Sequence, residues 1–306
     1  MTEWHPLPAA RNDDNISTSF QNYNKGAEKR AKQCEPATVP SLHHLKMADY
    51  NVVYEPSDDT YLLLDALKNE FDIRNDNDDN GDSDTMTDPT IRATHIQTTL
   101  EMGCGTGVCT IYLAKLLERQ RQQQHHPSSN ATAIQHHVTD INPNAIRITM
   151  ETARENNVTT TITATKQEST LTSTSTSTST STSTSIIKAH QCDLATPLLQ
   201  TLQSSIDVLL FNPPYVPTPD HEVGGTGIEA SWAGGTDGRV VLDRALPQIS
   251  KLLSRPNGVA YVIVVDDNRP EEIASVMREE YGILVVPLLR RKARNEFLTV
   301  LKMTFV

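Results

Sequence analysis

The chain has 306 residues, of which 37% are hydrophobic and 21% charged, and its formal net charge is −11. This length allows one large domain or two small ones, and the acidic balance argues against broad electrostatic capture of nucleic acid or anionic membranes. The four cysteines form no Cys-x-x-Cys pair, a pattern typical of reduced thiols inside cells. The sequence has no apolar signal core at its start and no run of membrane-spanning length. It therefore predicts a soluble cytoplasmic protein, with the nucleus as a second compartment.

Four polar segments interrupt the chain. Residues 1–46 show little periodicity and are predicted to form a disordered extension, which leaves 47–306 as a single domain. Within that domain, low-complexity insertions are predicted at about 75–90, 120–128 and 158–185. They are rich in aspartate, in glutamine and histidine, and in alternating threonine and serine, respectively. Such segments offer no apolar face whose burial could offset the entropy cost of ordering them.

Between these segments, strand patterns alternate with helix patterns. The first elements in chain order are a helix with Thr60 as its N-cap, a strand at 98–102, a helix from 108 and a strand that ends at Asp140. They are followed by a helix from Pro143, strands at 186–190 and 206–211, a helix at 239–253, a strand at 258–265, a helix at 270–281, and strands at 283–289 and 297–305. This order predicts an α/β fold with a Rossmann-like, doubly wound, mainly parallel seven-stranded sheet. Its last two strands are predicted to form an antiparallel C-terminal hairpin.

A glycine-rich turn joins the first predicted core strand to the following helix. Gly103, Gly105 and Gly107 permit a tight turn and a close approach of the backbone to a ligand. The helix that follows offers its N-terminal amides to an anionic group. The spacing differs from the Gly-x-Gly-x-x-Gly dinucleotide fingerprint, and the Gly-Lys-Ser/Thr of a phosphate-binding loop is missing. Taken alone, the segment also fits a glycine turn without a ligand.

Three acidic residues, Glu101, Asp140 and Asp193, lie at the ends of successive predicted strands. Carboxyl ends of parallel strands meet at one edge of a sheet, where open α/β folds bind ligands. Asp140 is placed to accept both hydroxyls of a ribose. Asp193 is placed to accept from an adenine amino group, with Leu194 packed on the ring. Each acid singly could be a helix cap, but three of them beside a glycine turn predict a nucleoside site.

The segment that ends the next buried strand carries the predicted catalytic residues. Pro213 and Pro214 cannot donate to a β-ladder, so the strand must end before them. The Asn212 side-chain oxygen and the Pro213 carbonyl are then two acceptors on a rigid turn, suited to a planar NH2 group. Tyr215 adds an aromatic face for stacking. These four residues are the predicted catalytic set, with an ordinary proline turn as the alternative.

Two histidine pairs, at 125–126 and 136–137, were candidates for a metal site by residue type. Neither pair has a cysteine or an acidic residue at the spacing of a zinc ligand set. The sequence therefore predicts no metal site.

Together these motifs resemble a known family. The chain resembles the class I S-adenosylmethionine-dependent methyltransferases, and specifically the HemK-type release-factor glutamine N5-methyltransferases of eukaryotes and archaea. The most specific segments are Glu-Pro-x-x-Asp-Thr at 55–60 and Gly-Ile-Glu-Ala-x-Trp-Ala-Gly-Gly at 227–235, whereas the glycine turn marks only the superfamily. Further matching segments lie at 100–108, 139–143, 192–194 and 211–216.

The resemblance implies methyl transfer from S-adenosylmethionine to the side-chain amide of the glutamine in the Gly-Gly-Gln loop of a peptide chain release factor. It implies cofactor contacts from nine positions: Thr60, Glu101, Gly103, Gly105, Gly107, Asp140, Asp193, Leu194 and Asn212. It also implies a heterodimer with a small zinc-binding activator subunit that covers apolar surface near the sheet edge.

Other functions remain open at this point. The amino group of adenine is also planar and conjugated, so an adenine-N6 methyltransferase acting on DNA or RNA is one alternative. The acidic charge argues against it, and the basic residues Arg290, Arg291, Lys292 and Arg294 are predicted to lie in a solvated hairpin turn. A protein lysine methyltransferase is a second alternative. A catalytically silent binding subunit is a third, and the intact motifs argue against it.

Overall fold

The computed structural model describes residues 39–71, 95–123, 132–162, 185–294 and 296–306. The predicted insertion at 75–90 and most of the predicted segments 1–46, 120–128 and 158–185 lie outside these ranges. Across the described ranges, no helix is both long and apolar enough to cross a bilayer.

The described residues form helices and strands in near-regular alternation. The helices are α1 (Asp58–Phe71), α2 (Val108–Gln123), α3 (Pro143–Glu155), α4 (Val240–Leu252) and α5 (Pro270–Tyr281). The strands are β1 (Thr98–Met102), β2 (Ile134–Asp140), β3 (Thr159–Ile162), β4 (Ser185–Gln191), β5 (Val208–Phe211), β6 (Val259–Val265), β7 (Ile283–Ala293) and β8 (Glu296–Phe305).

The strands form one sheet in the order β3-β4-β2-β1-β5-β6-β8-β7. Strands β1 to β6 are mutually parallel, and β8 runs antiparallel to both β6 and β7. The predicted α/β class, the mainly parallel sheet and the C-terminal hairpin are confirmed. The predicted number of seven strands is wrong, because β3 pairs with β4 at one edge. Strand β3 lies inside the segment 158–185 that was predicted to be an insertion.

The core fills both faces of the sheet, as β5 illustrates. Val208 and Leu210 pack in a cluster with residues of α1 and α2. Leu209 and Phe211 pack in another cluster with residues of α4 and α5. Successive strand residues point to opposite faces, so a strand buried on both faces is apolar throughout. This explains why β5 and β6 are continuous apolar runs.

The start of α1 differs from the prediction. The helix begins at Asp58, so Thr60 is its third residue and not its N-cap. The Thr60 hydroxyl instead accepts the Ser57 backbone N–H at 3.4 Å, and the Ser57 carbonyl accepts from the Tyr61 N–H at 3.0 Å. A side chain at the third position that returns to the preceding backbone is half of a capping box.

Part of the predicted extension is ordered against the domain. The Ser41 N–H donates to Asn156 Oδ1 at 2.9 Å, and the Asn156 side-chain NH2 donates to the Ser41 carbonyl at 2.9 Å. Asn156 follows α3 directly. This pair of hydrogen bonds fastens the segment that begins at residue 39 to the end of a core helix.

Of the four basic residues near the C-terminus, only Arg294 lies in the predicted hairpin turn. Strand β7 continues to Ala293, so Arg290 and Arg291 lie within it. Arg290 pairs with Asp266 at 2.8 Å, and Arg291 pairs with the buried Asp65 of α1. Because acidic residues of the domain neutralise these cations, they do not add up to a free basic surface.

Candidate active site

A cavity opens at the carboxyl ends of β1, β2 and β5, where the strand order reverses direction from one side of β1 to the other. Such switch points are where open α/β sheets bind ligands. Most of the predicted site residues line it: Thr60, Glu101, Gly103, Gly105, Asp140, Asp193, Leu194, Asn212 and Pro214. Gly107, Pro213 and Tyr215 lie outside this lining.

The glycines of the turn after β1 have different tasks. Gly105 has a φ of +51°, and a Cβ added there would meet nothing within 4 Å. Its backbone is therefore open to a ligand in the cavity. Gly107 has a φ of +77°, and a Cβ there would lie 2.7 Å from Thr149 Cγ2 of α3. Packing between α2 and α3 explains Gly107, which was predicted to bind cofactor.

Asp140 ends β2 and bridges two backbone segments. Its Oδ2 accepts the Gly105 N–H at 3.0 Å, and its Oδ1 accepts the Asn142 N–H at 2.9 Å. Burial raises the pKa of the Asp140 carboxyl, and these two hydrogen bonds oppose the rise. A carboxylate oxygen can accept more than one hydrogen bond. Asp140 can thus hold the glycine turn and still accept from hydroxyl groups in the cavity.

Glu101 is the buried acid of β1, with 4% of its surface exposed. Its Oε2 accepts the Thr110 N–H at 3.1 Å and also the Thr110 hydroxyl. Burial raises the pKa of Glu101 to about 8, more than the Thr110 hydrogen bonds lower it. Burial therefore favours the neutral, protonated form of this carboxyl.

Asp193 follows β4 and forms an ion pair with Arg244 of α4. Arg244 also lines the cavity, and sequence reasoning missed it. The guanidinium engages Oδ2 of Asp193, so Oδ1 is the oxygen left to accept from a ligand amino group. Leu194 is 8% exposed and lines the same wall. The predicted acid and apolar neighbour thus face the cavity together.

Asn212 lines the cavity, and its side-chain oxygen lacks a hydrogen-bond partner in the described residues. Its Nδ2 donates to Asp59 Oδ2 at 3.0 Å. Its Oδ1 is buried and has no hydrogen-bond partner among the described residues. Buried polar atoms in native proteins almost always have a partner. An orphaned acceptor in the wall of a cavity therefore points to a ligand that carries a donor.

Asp59 also accepts hydrogen bonds from several other groups near Asn212. Its Oδ1 accepts from the Thr60 N–H at 2.6 Å and from the hydroxyls of Thr60 and Tyr54 at 3.2 and 3.3 Å. Its Oδ2 also accepts from the Tyr215 hydroxyl at 3.3 Å. Burial and the nearby Asp59 charge raise the pKa of Tyr54 to about 12, and the same causes raise the pKa of Tyr215. Both tyrosines therefore remain protonated donors at physiological pH.

Sequence reasoning did not single out Asp59 or Tyr54. The Glu-Pro-x-x-Asp-Thr segment contains both Asp59 and Thr60, but only Thr60 was predicted as a site residue. Thr60 lines the cavity as predicted. Its neighbour Asp59 makes the contact with the Asn-Pro-Pro-Tyr turn.

The second specific motif, at 227–235, packs directly on that turn. The Val216 N–H donates to the Trp232 carbonyl at 3.1 Å, and the Gly234 N–H donates to the Val216 carbonyl at 2.9 Å. A Cβ at Gly234 would lie 2.5 Å from the Pro214 carbonyl oxygen. The motif also contributes residues to the cavity wall: Gly227, Ile228, Ala230, Ser231 and Ala233. It thus supports the turn and closes one side of the cavity.

A second cavity adjoins the first. Tyr54, Pro56 and Ile228 line both of them, while Asp59 and Tyr215 line the second. The remaining wall is mainly charged and comes from two regions of the chain, with Glu55 and Asp58 near α1 and Arg294 and Glu296 at the β7–β8 turn. The two cavities thus share part of their walls, and Asp59 of the second cavity accepts a hydrogen bond from Asn212 of the first.

Histidine and metal chemistry contribute nothing visible to this site. His136 shares a hydrogen bond of 2.8 Å with Thr99 inside the sheet, and His137 stacks on His190. The pair at 125–126 lies outside the described residues. Within the described ranges, no group of three or more His, Cys, Asp or Glu residues is arranged to hold a metal ion.

Comparisons with known proteins place the chain among methyltransferases. It is 34% identical to human methyltransferase HEMK2 over 270 residues, which cover 88% of this chain and 98% of the human protein. A Schizosaccharomyces pombe protein named eRF1 methyltransferase catalytic subunit mtq2 is 27% identical over 87% of this chain and 94% of its own length. A Methanocaldococcus jannaschii protein, whose name assigns it to the protein N5-glutamine methyltransferases, is 26% identical over 74% of this chain and 78% of its own. No family model matches the chain.

Proposed function

The chain belongs to the HEMK2 methyltransferases, and we propose that it methylates the side-chain amide nitrogen of the glutamine in the Gly-Gly-Gln motif of a peptide chain release factor. In this proposal it is an S-adenosylmethionine-dependent protein-glutamine N-methyltransferase. The names of the relatives supply the reaction and the substrate class. The observation that carries the proposal is the buried Asn212 Oδ1, which has no partner among the described residues and belongs to a residue that lines the cavity.

The residues of the first cavity fit S-adenosylmethionine. The open backbone at Gly105 accommodates close approach, and the Asp140 carboxylate retains acceptor capacity for ribose hydroxyls. Asp193 and Leu194 combine an acceptor with an apolar surface, as an adenine ring requires. When bound, S-adenosylmethionine supplies an electrophilic methyl group on its sulfonium sulfur.

The task of the protein is to orient a weak nucleophile. The lone pair of an amide nitrogen is delocalised into the carbonyl, so the nitrogen reacts slowly unless it is held. Asn212 Oδ1 would accept one of its N–H groups, and the Pro213 carbonyl is the predicted acceptor for the other, although Pro213 lies outside the cavity lining. These hydrogen bonds strengthen as the nitrogen gains positive charge, so they stabilise the transition state more than the ground state. Catalysis then rests on positioning and electrostatics.

Covalent catalysis by a thiol is not needed and is not supported by the site. Burial raises the pKa of the Cys104 and Cys109 thiols well above the usual range. Burial also raises the pKa of Cys192 to about 11. A thiol is nucleophilic as the thiolate, and all three therefore stay in the unreactive form at neutral pH.

A protein amide is favoured over adenine in nucleic acid. The relatives' names refer to eRF1 and to protein glutamine. Arg290 and Arg291, two members of the predicted basic cluster, are already paired with Asp266 and Asp65. The second cavity, next to Tyr215, includes the acidic residues Glu55, Asp58 and Glu296, and these would repel a phosphate backbone.

A partner subunit is part of the proposal. The fission yeast relative is named a catalytic subunit, which indicates a further, non-catalytic subunit in that enzyme. By the same logic we propose that this chain forms a heterodimer with a small zinc-binding activator. The zinc ligands would belong to the partner.

A parallel assay tests the proposed function. The chain is coexpressed with the zinc-binding activator from the same organism and supplied with labelled S-adenosylmethionine. Methyl transfer is then measured to a release-factor complex, to the same complex with its Gly-Gly-Gln glutamine changed to asparagine, and to DNA. We expect label only in the unaltered release factor. Faster labelling of DNA, or equal labelling of the asparagine variant, would contradict the proposal.

A further inference from the structure

Asp59 is a buried carboxylate on the first turn of α1, in contact with the catalytic turn through Asn212 and Tyr215. We propose that Asp59 is a positioning residue that fixes which atom of the Asn212 side-chain amide faces the substrate. This inference rests on the proposed function, in which Asn212 accepts a hydrogen bond from the substrate amide.

The need for such a residue follows from the shape of an amide. The oxygen and the NH2 group of asparagine are nearly equal in size, but one accepts and the other donates. If the amide turned over, Asn212 would present donors to a substrate NH2 group that also donates. An ionised carboxylate only accepts hydrogen bonds. Asp59 Oδ2, at 3.0 Å, therefore selects the NH2 side of Asn212 and leaves Oδ1 as the unpartnered acceptor.

Asp59 is itself held in place by fixed donors. Its Oδ1 accepts the Thr60 backbone N–H at 2.6 Å, and a backbone donor in a helix cannot reorient. The hydroxyls of Thr60 and Tyr54 bind the same oxygen. With 4% of Asp59 exposed, water has little access to compete. The carboxylate is thus anchored through Oδ1, while Oδ2 accepts the hydrogen bond from Asn212.

This asymmetry makes Asp59→Asn a specific probe. The new side chain has one acceptor and one donor in nearly the same shape. Its NH2 group cannot replace Oδ1, because it would face the fixed Thr60 N–H. The NH2 group at position 59 must therefore take the place of Oδ2 and face Asn212. This favours the orientation in which the Asn212 oxygen faces position 59 and its NH2 group faces away. The Tyr215 hydroxyl can rotate to accept from the new NH2 group, so Tyr215 does not oppose the change.

A reciprocal exchange should restore the acceptor. In the Asp59→Asn background, Asn212→Asp places a carboxylate at position 212. One of its oxygens can accept from the amide at position 59, and the other again faces the cavity as an acceptor. A residue that acts only by filling space would gain nothing from this exchange.

Asp65→Asn is the matched control. Asp65 lies on the same helix, its side chain is 1% exposed, and it pairs with Arg291 away from both cavities. This change also replaces a buried carboxylate by an amide. It should lower the melting temperature without changing kcat.

The experiment measures kcat at saturating S-adenosylmethionine, the cofactor Kd and the melting temperature, using the chain with its activator and the release factor. We expect Asp59→Asn to lower kcat by about 100- to 1000-fold, the typical effect of one misplaced polar group at a transition state. The cofactor Kd should change far less than kcat, and the double variant should recover at least about tenfold of the lost rate. An unchanged kcat in Asp59→Asn, or a double variant no faster than the single one, would overturn the inference.

A spectroscopic readout separates this inference from the proposed function. The side-chain NH2 resonances of Asn212, assigned by their loss in Asn212→Asp, report its hydrogen bond without any substrate. Asp59→Asn should shift them strongly, and Asp65→Asn should not. If the wild-type enzyme fails to label the release factor, the proposed function fails, yet these resonances still test the orientation. If Asp59→Asn leaves the Asn212 resonances unshifted, the inference is wrong.

Discussion

Glu101 is a single residue whose protonation the fold controls. Burial raises its pKa from 4.5 to about 8, so the folded state binds its proton more tightly than the unfolded state. Its contribution to stability is therefore greatest below pH 4.5 and declines as the pH rises to about 8. Glu101→Gln keeps the shape and removes the titration. The free energy of unfolding of the wild type, minus that of the variant, should fall across this window by up to about 1.4 kcal/mol per pH unit.

Urea unfolding at several pH values, with cofactor absent, provides the measurement. His136→Gln serves as a control of opposite sign: burial lowers the pKa of His136 from 6.5 to about 3, so its contribution to stability increases as the pH rises from about 3 to about 6.5. Parallel pH profiles for the wild type and Glu101→Gln would show that Glu101 is ionised in the fold.

The chemical roles of single residues could be predicted from the sequence better than the contacts between residues far apart in the chain. The acceptor role of the Asn212 oxygen followed from two adjacent prolines that end a strand. The orientation of that amide depends on Asp59, which is 153 positions away in the chain. The Arg244 that engages Asp193 is 51 positions away. Local patterns carry no information about such pairings, because the fold of the whole sheet creates them.

At the scale of elements, the turn at 212–215 is supported by the neighbouring turn at 236–238 and by Asn268. The Asn268 side chain donates to the Tyr215 carbonyl at 3.0 Å and to the Asp237 carbonyl at 3.0 Å. Gly238 has a φ of +65°, and a Cβ there would lie 1.9 Å from the Tyr215 carbonyl oxygen. We predict that Gly238→Ala displaces the turn and lowers kcat at least tenfold, besides destabilising the fold.

Gly282→Ala is the matched control for this prediction. Gly282 has a φ of +64°, but a Cβ there would meet nothing within 4 Å. Both variants carry the cost of a left-handed backbone, about 1–3 kcal/mol, and only Gly238→Ala adds the clash. Thermal unfolding and steady-state kinetics on both variants give the comparison. Equal kcat values would mean that the Tyr215 backbone tolerates displacement.

Most elements could be predicted because their burial leaves a periodic pattern. Strand β3 could not be predicted, since its threonine-rich sequence Thr159–Ile162 has no apolar alternation and borders a low-complexity tract. It is an edge strand that pairs only with β4 in the described structure, so backbone hydrogen bonds define it. The start of α1 was misplaced for a related reason, because Asp58 and Thr60 are both acceptable residues for a first helical turn.

At the scale of the whole molecule, the predicted low-complexity insertion connects β3 to β4, and its residues 163–184 lie outside the described ranges. Strand β3 ends at Ile162, β4 begins at Ser185, and the two strands are parallel. Parallel neighbours need a crossover of about a dozen residues or more. Replacing residues 163–184 by a Gly-Ser linker of about fifteen residues should therefore leave the melting temperature and kcat nearly unchanged.

A linker of about three residues is the control, because it is too short for a parallel crossover and should release β3 from β4. Differential scanning calorimetry on the two chains provides the measurement. A large loss of stability with the longer linker would show that the Thr-Ser tract itself packs on the domain.

The whole fold brings three distant regions to one centre. The β1 turn and the ends of β2 and β4 form one wall of the first cavity, Asn212 follows β5, Tyr54 precedes α1, and Asp59 lies in the first turn of α1. The second cavity approaches this centre beside Tyr215. Under the proposed function, the first cavity would hold the cofactor, the second would admit the substrate, and Asn212 would act between them.

The most direct test of the central claim is the single-turnover rate of methyl transfer by Asn212→Ala. The chain is assayed with its activator and the release factor at saturating S-adenosylmethionine, and circular dichroism verifies that the variant is folded. Losing one well-placed polar contact to a transition state costs about 100- to 1000-fold in rate, so we predict a loss of at least that size. A folded Asn212→Ala protein that methylates the release-factor glutamine at the wild-type rate would contradict the account.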